Sequence, residues 1–66
     1  MQIQLNGNPM ELADGSTIYQ LLETLDLTQT RLAVEVNAEI IPRSQHQSTT
    51  LNVGDRVEIV QAIGGG

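Results

Sequence analysis

The fold is decided by Gly54-Asp55-Arg56-Val57-Glu58-Ile59-Val60-Gln61-Ala62-Ile63-Gly64-Gly65-Gly66, the last thirteen residues of the sequence. Val57 and Ile59 alternate with polar neighbours, which is the period expected of a half-buried β-strand. Three glycines then follow, and because glycine has no Cβ the segment is thin and accepts backbone angles that other residues refuse. The sequence therefore predicts a folded domain over residues 1–62 that ends in a flexible glycine-rich tail, residues 63–66.

Four segments upstream also have strand character: Gln2–Asn6, Met10–Leu12, Ala33–Asn37 and Ile40–Arg43. The first three alternate polar and apolar residues, as half-buried strands do. The turn signal Asn6-Gly7-Asn8-Pro9 joins the first two into a predicted β-hairpin over residues 2–13. The fourth contains Pro42, which donates no ladder hydrogen bond and so favours the edge of a sheet.

One amphipathic helix is predicted between the hairpin and the third strand. Ser16 or Thr17 can cap its first turn, and Thr17 and Gln20 have the spacing of a capping box. The apolar residues Ile18, Leu21, Leu22 and Leu25 then form one stripe along two turns. A helix of about ten residues, from about Thr17 to Asp26, is too short to be stable alone and must pack on a sheet.

These elements together predict an α+β fold with two layers. A mixed sheet of four or five strands carries one main helix on one of its faces. The strand residues expected to face the helix are Ile3, Leu5, Val34, Val36, Val57 and Ile59. Ser44 to Thr50 contains no apolar residue and is predicted to be an exposed loop or a single turn.

Composition and charge exclude several classes of partner. The chain has 66 residues, a formal net charge of −5, three Arg and no Lys. Nucleic acid is a poor partner for such a surface because phosphate binding needs clustered cations. No segment is long and apolar enough to span a bilayer, and an anionic membrane surface is disfavoured by the charge. We therefore expect a cytoplasmic protein, and simple solubility explains the negative charge as well as a basic partner does.

The side chains do not form a conventional active site. His46 is the only histidine, and it is expected to be a solvated loop residue rather than a base or metal ligand. Asp14 and Asp55 each stand beside glycine, where local hydrogen bonding is their ordinary role, and Ser16 has no partnered base. No catalytic or metal-binding residue is predicted. The group left over is the terminal carboxylate of Gly66, unless the tail is simply a frayed end.

The chain resembles the ThiS family of sulfur carriers, which have the ubiquitin-like β-grasp fold and serve thiamine biosynthesis. The resemblance covers essentially the whole sequence. The segments on which the resemblance rests are Asp14-Gly15-Ser16-Thr17-Ile18, Ala33-Val34-Glu35-Val36-Asn37, Ile41-Pro42-Arg43 and the stretch from Gly54 to the glycine end. A terminal Gly-Gly alone is a weak motif. It becomes a strong one when it follows these segments in this order at the end of a 66-residue chain. The family needs only Gly65-Gly66, so Gly64 is an allowed addition.

The resemblance implies a protein co-substrate rather than an enzyme. Gly66 would be adenylated by an E1-like adenylyltransferase of the ThiF type that uses ATP and magnesium, and no cofactor would be bound by the chain itself. The adenylate would be converted to a thiocarboxylate with sulfur from a cysteine desulfurase system, and a thiazole synthase of the ThiG type would receive that sulfur. Ile63, Gly64 and Gly65 would thread into the partner active sites.

Three alternatives to the thiamine carrier stay open. The small subunit of molybdopterin synthase shares the fold, the Gly-Gly end and the thiocarboxylate, although the short connection from Asp26 to Ala33 favours the thiamine family. A ubiquitin-like modifier would instead form isopeptide bonds with lysines. A binding module with an inert tail would keep its function without Gly65-Gly66. For a carrier, the sheet face that shows Glu58 and Val60 is the predicted docking surface.

Overall fold

The computed structural model describes residues 1–61 of the chain, so Ala62 and the predicted tail, residues 63–66, lie outside it. The elements are β1 (Gln2–Leu5), β2 (Asn8–Glu11), α1 (Ile18–Thr24), β3 (Leu32–Val36), β4 (Glu39–Ile41), a 3₁₀ helix (Arg43–Gln45) and β5 (Arg56–Gln61). The predicted strands and helix are thus confirmed, with three differences in their bounds. The helix is shorter than expected, β2 already begins at Asn8 inside the predicted turn, and β4 ends at Ile41, so that Arg43 belongs to the 3₁₀ helix instead of a strand.

The strands form one sheet in the order β2-β1-β5-β3-β4. β1 and β5 are parallel, whereas β1 with β2, β3 with β4 and β3 with β5 are antiparallel. The last strand in sequence therefore lies at the centre of the sheet, and β4, followed directly by Pro42, lies at its edge as predicted. This confirms the α+β, ubiquitin-like β-grasp arrangement with one helix on one face of a mixed sheet.

The first turn of α1 is held by its own cap and by a distant loop. The Thr17 hydroxyl accepts a hydrogen bond from Gln20 N at 3.2 Å, and the Gln20 side chain accepts one from Thr17 N at 2.9 Å. This reciprocal pair is the predicted capping box. Ile18 N donates to Thr49 O and Tyr19 N to His46 O, so two of the amides that a helix start leaves unpaired are satisfied by the loop.

The last turn of α1 closes in a Schellman motif. Leu27 N donates to Leu22 O at 2.8 Å, and Asp26 N donates to Glu23 O at 3.0 Å. Asp26 has φ 59°, the left-handed conformation that this motif requires and that glycine usually provides. The helix therefore ends at Thr24, because the chain reverses through Asp26 instead of continuing helically.

The core is a single aliphatic cluster between α1 and the sheet. Its fully buried members are Ile3, Ile18, Leu21, Leu22, Val34, Leu51 and Val57. The predicted helix stripe and the predicted inward strand residues all belong to this cluster or pack against it. Leu51 is only 1% exposed, and the sequence pattern did not single it out because it stands alone after a polar segment.

His46 does not lie where the sequence analysis placed it. The residue is 4% exposed rather than solvated, and its Nε2 lies 3.0 Å from Ile41 O. A carbonyl oxygen only accepts, so Nε2 carries the proton in this contact. The prediction of a solvated loop histidine is wrong because the 3₁₀ helix turns the segment inward, and the imidazole fills a site between that helix and β4.

Candidate functional site

The tail that the sequence predicts to be functional continues directly from β5. The strand is paired on both sides, with β1 through Gln4–Arg56 and Leu5–Val57 and with β3 over residues 57–61. Its last described residue, Gln61, lies opposite Leu32 at the start of β3. The tail residues Ile63, Gly64, Gly65 and Gly66 lie outside the described residues, so their roles stay predictions.

Asn6 extends the pairing of β5 beyond the end of β1. Its Oδ1 accepts a hydrogen bond from Ile59 N at 2.9 Å, and its Nδ2 donates to Ile59 O at 3.4 Å. The side-chain amide thus stands in for a peptide group of a neighbouring strand. The sequence marked Asn6 only as a turn residue, and nothing in a local pattern signals a contact with a residue so distant in the chain.

The start of β5 is held by Asn37 and Asp55. Asn37 Oδ1 accepts from Arg56 N at 3.0 Å, and Asn37 Nδ2 donates to Asp55 Oδ1 at 3.0 Å. Asp55 Oδ2 also accepts from Asn52 N at 2.8 Å, which confirms its predicted role in local hydrogen bonding. Two side-chain amides therefore clamp β5, one near each end, and fix the strand from which the tail departs.

The sheet face away from the helix shows carboxylates and apolar side chains, with Arg56 as a cation on the same face of β5 as Glu58 and Val60. Val60 is 61% exposed on β5, and Ile40 is 69% exposed on β4. Glu58 lies opposite Glu35 in the β3–β5 register, and like charges in that position repel one another. The predicted docking residues Glu58 and Val60 are therefore accessible, while docking itself stays a prediction.

Three further observations concern the described residues alone. Within residues 1–61 no group of three or more metal-ligating side chains is arranged to hold a metal ion. Asp14 lies 3.0 Å from the amino group of Met1, and Glu11 lies 3.6 Å from it. No helix in this part of the chain has the length and apolar character to cross a membrane.

Comparison with known proteins then identifies the family. The model of the ThiS family matches residues 3–66, which includes β5 and all three terminal glycines. The chain belongs to the ThiS family. It is 39% identical over 66 residues to the sulfur carrier protein ThiS of Escherichia coli, and the match covers 100% of both chains.

A second relative of the ThiS-family chain is much longer. It is a thiazole synthase of Paramagnetospirillum magneticum, 38% identical over 66 residues, and the match covers 100% of this chain but 20% of that protein. Among solved structures, the crystal structure of a thiamine biosynthesis protein (ThiS) from Geobacter metallireducens superimposes with a TM-score of 0.86 at 33% identity, covering 100% of both chains. The ThiS-family chain therefore shares the fold of that structure.

Proposed function

We propose that this chain is a sulfur carrier of thiamine biosynthesis whose cargo is bound at the terminal carboxyl of Gly66. The observation that carries the proposal is the family match, which continues from β5 through Gly66. The E. coli relative, whose match covers 100% of both chains, is named a sulfur carrier protein. The folded domain is the part that the partner enzymes recognise, and the tail carries the reacting carboxylate.

The chemistry follows from the weakness of a carboxylate as an electrophile. Attack of the Gly66 carboxylate on the α-phosphorus of ATP would give an acyl adenylate and release pyrophosphate. Hydrosulfide could then add to the activated carbonyl and expel AMP, which leaves a thiocarboxylate. A persulfide donor would instead leave an acyl disulfide, and a thiol must then cleave the S–S bond reductively to release the thiocarboxylate. Ile63, Gly64 and Gly65 would carry this carbonyl into the partner sites, because glycine presents no side chain to a narrow passage.

The described residues support this division of labour. The amide clamps at Asn6 and Asn37 hold β5, so the base of the tail has a fixed position on the domain. A partner that binds the domain therefore receives the tail from a defined origin at the end of β5. Such preorganisation lowers the entropic cost of binding.

The exposed sheet face supports docking on a basic partner. Glu35 and Glu58 face each other across β3 and β5, so a cation from the partner would relieve their repulsion. Val60 beside them offers an apolar contact. We propose this face as the docking surface of the domain.

The proposed partners are an E1-like adenylyltransferase that uses ATP and magnesium, a cysteine-derived sulfur donor and a thiazole synthase, all in the cytoplasm. The thiazole synthase is supported by the longer relative, since a segment similar to this chain makes up 20% of a protein with that name. Joining a carrier to the enzyme that receives its cargo favours delivery, because tethering raises the effective concentration of the cargo at that enzyme.

The proposal is tested by the intact mass of the protein taken from cells grown without thiamine. We expect a species heavier by one oxygen-to-sulfur exchange, mapped to Gly66 by fragmentation. A chain truncated after Gly64 is the control and should show only its unmodified mass. The same species in cells that lack molybdopterin synthesis would assign the sulfur to the thiamine pathway.

Other masses would support other functions. An isopeptide adduct on a lysine of another protein would indicate a modifier instead of a carrier. If only the plain carboxylate appears, even after incubation with ATP, an E1-like enzyme and a sulfur donor, the carrier proposal is wrong.

A further inference from the structure

A cavity of about 360 Å³ lies on the helix side of the sheet, away from the face proposed for docking. Its walls come from α1, from the connection over residues 27–30 and from the segment that contains the 3₁₀ helix. Its apolar part is formed by Leu22, Leu27 and Leu32. This volume falls at the small end of the range for ligand pockets, and it suits one side chain better than a cofactor.

The charge of the cavity is opposite to that of the chain. Eight Asp and Glu residues stand against three Arg in the sequence. Among residues 1–61, those that line the cavity include Arg43 and no Asp or Glu. The lining also includes Tyr19, Ser44 and Gln47, whose hydroxyl and amide groups can donate hydrogen bonds. The cavity therefore favours an anionic group over a cation.

Arg43 is held in place without being neutralised. Its Nη2 donates to Thr28 O at 3.3 Å, which ties the 3₁₀ helix to the opposite wall of the cavity. A guanidinium has five N–H donors, so donors remain for another acceptor. The ion pairs of residues 1–61 both involve the amino group of Met1, and hence no carboxylate in this part of the chain pairs with Arg43.

The walls of the cavity are fixed by hydrogen bonds in the protein interior. Tyr19 N donates to His46 O at 3.0 Å, and the buried His46 ring contacts Ile41 O. On the other side, the Schellman bond from Leu27 N to Leu22 O sets the connection against α1. The cavity is thus preformed, and an incoming group would not need to order these segments.

The position of the cavity links it to the tail. Leu32 lines the cavity and is the cross-strand partner of Gln61, the last described residue of β5. Residues directly opposite in an antiparallel pair have their Cβ atoms about 4.5–5.5 Å apart and on the same side of the sheet. Gln61, at the base of the tail, therefore lies close to this cavity where β5 ends and β3 begins. An enzyme that docks on the opposite sheet face and holds the tail can also reach the cavity around this end of the sheet.

We infer that this cavity receives a carboxylate side chain, Asp or Glu, from the enzyme that adenylates the tail, and that Arg43 is its counter-ion. The inference rests on the proposed function. In the complex the carboxylate accepts from the Arg43 guanidinium, while its methylene groups contact the leucines of the cavity. Most charge pairs between an acidic carrier and a basic enzyme place the anion on the carrier, whereas this pair places the cation, Arg43, on the carrier. Such a pair fixes the orientation of the complex, because misaligned binding would leave it unformed.

The test is ATP–pyrophosphate exchange by the purified adenylating enzyme, with this chain at increasing concentration. Arg43→Gln should raise the KM for the chain by about tenfold, a typical loss for one interfacial charge pair, with kcat unchanged. Arg43→Glu should raise it further, since two carboxylates would then meet. Arg43→Lys should lie between the wild type and Arg43→Gln, because the charge remains while the paired N–H donors are lost.

Arg31→Gln is the matched control. Arg31 is exposed, precedes Leu32 and does not line the cavity. Arg31→Gln removes one positive charge near the cavity, as Arg43→Gln does, but it should change KM by less than about twofold. Melting curves of all variants verify that Arg43 is not needed for folding.

Three outcomes would overturn the inference. Equal KM values for Arg43→Gln and Arg43→Glu would show that the occupant is not anionic. A KM of Arg43→Glu below that of the wild type would show that the occupant is a cation. An equal effect of Arg31→Gln would indicate diffuse electrostatic attraction in place of a specific pair. The proposed function fails separately, through an absence of exchange with the wild-type chain.

Discussion

The Nε2 atom of His46 lies 3.0 Å from the carbonyl oxygen of Ile41, and the histidine is 4% exposed. The contact joins the segment after the 3₁₀ helix to the edge strand β4. The backbone of the same residue accepts from Tyr19 N at the start of α1. His46 is therefore a structural residue that connects three elements, and it forms one wall of the cavity next to Arg43.

We expect His46→Ala to destabilise the domain by about 2–4 kcal/mol, because it leaves a void and removes a hydrogen bond from Ile41 O. Denaturant unfolding followed by circular dichroism measures the change. Gln47→Ala, at the exposed neighbouring position, is the control and should stay within about 0.5 kcal/mol of the wild type. Equal stability of His46→Ala and the wild type would show that the buried imidazole contributes nothing.

Asp26→Gly should stabilise the domain by up to about 1 kcal/mol. Asp26 has φ 59° at the end of α1, a left-handed conformation that costs a side-chain-bearing residue more than glycine. Glycine at an exposed helical position has the opposite effect, so Glu23→Gly should destabilise by about 1 kcal/mol. Thermal melting of the two variants should therefore shift in opposite directions, and a shift of both to lower temperature would contradict the prediction.

The amino group of Met1 should make stability depend on alkaline pH. The hydrogen bond to Asp14 is the largest cause that raises the pKa of this group above its usual 8.0, and the charges of Asp14 and Glu11 add to it. Because the folded pKa is the higher one, the stabilisation is complete below about pH 8 and is lost as pH rises through the folded pKa.

Melting temperatures recorded from pH 6 to pH 10 should therefore fall above pH 8 for the wild-type chain. Asp14→Asn removes the main cause of the shift and should flatten this dependence. Identical pH profiles for the two proteins would show that the ion pair has no effect on folding.

Gly65→Leu should block adenylation while leaving the fold intact, because a bulky side chain would obstruct the passage into the partner site. Pyrophosphate exchange and a melting curve measure the two properties on the same sample. Ala13→Leu, which places the same side chain at an exposed position before α1, should be adenylated normally. Normal exchange by Gly65→Leu would count against threading of the tail.

The sequence predicted the elements because their signals are local. The alternation around Val57 follows from the two-residue period of a strand, and the apolar stripe from Ile18 to Leu25 follows from the helical period. The capping box of Thr17 and Gln20 has fixed spacing and was also predictable. The burial of His46 and Leu51 was not, since each stands in a polar segment whose path depends on distant contacts.

The sequence by itself determined the fold class, because periodicity and turn residues are properties of neighbouring residues. It also determined the family, through its match to the ThiS family over residues 3–66. Only the tertiary structure decided that Asn6 would pair with Ile59 and that Arg43 would share a cavity with Leu32. Asn6 and Ile59 are 53 residues apart in the chain, and they meet because β5 lies beside β1 at the centre of the sheet. Arg43 and Leu32 meet because β4 runs antiparallel to β3 and returns the chain to the start of β3. Long-range pairing of this kind leaves no local pattern, since it depends on how all the elements pack together.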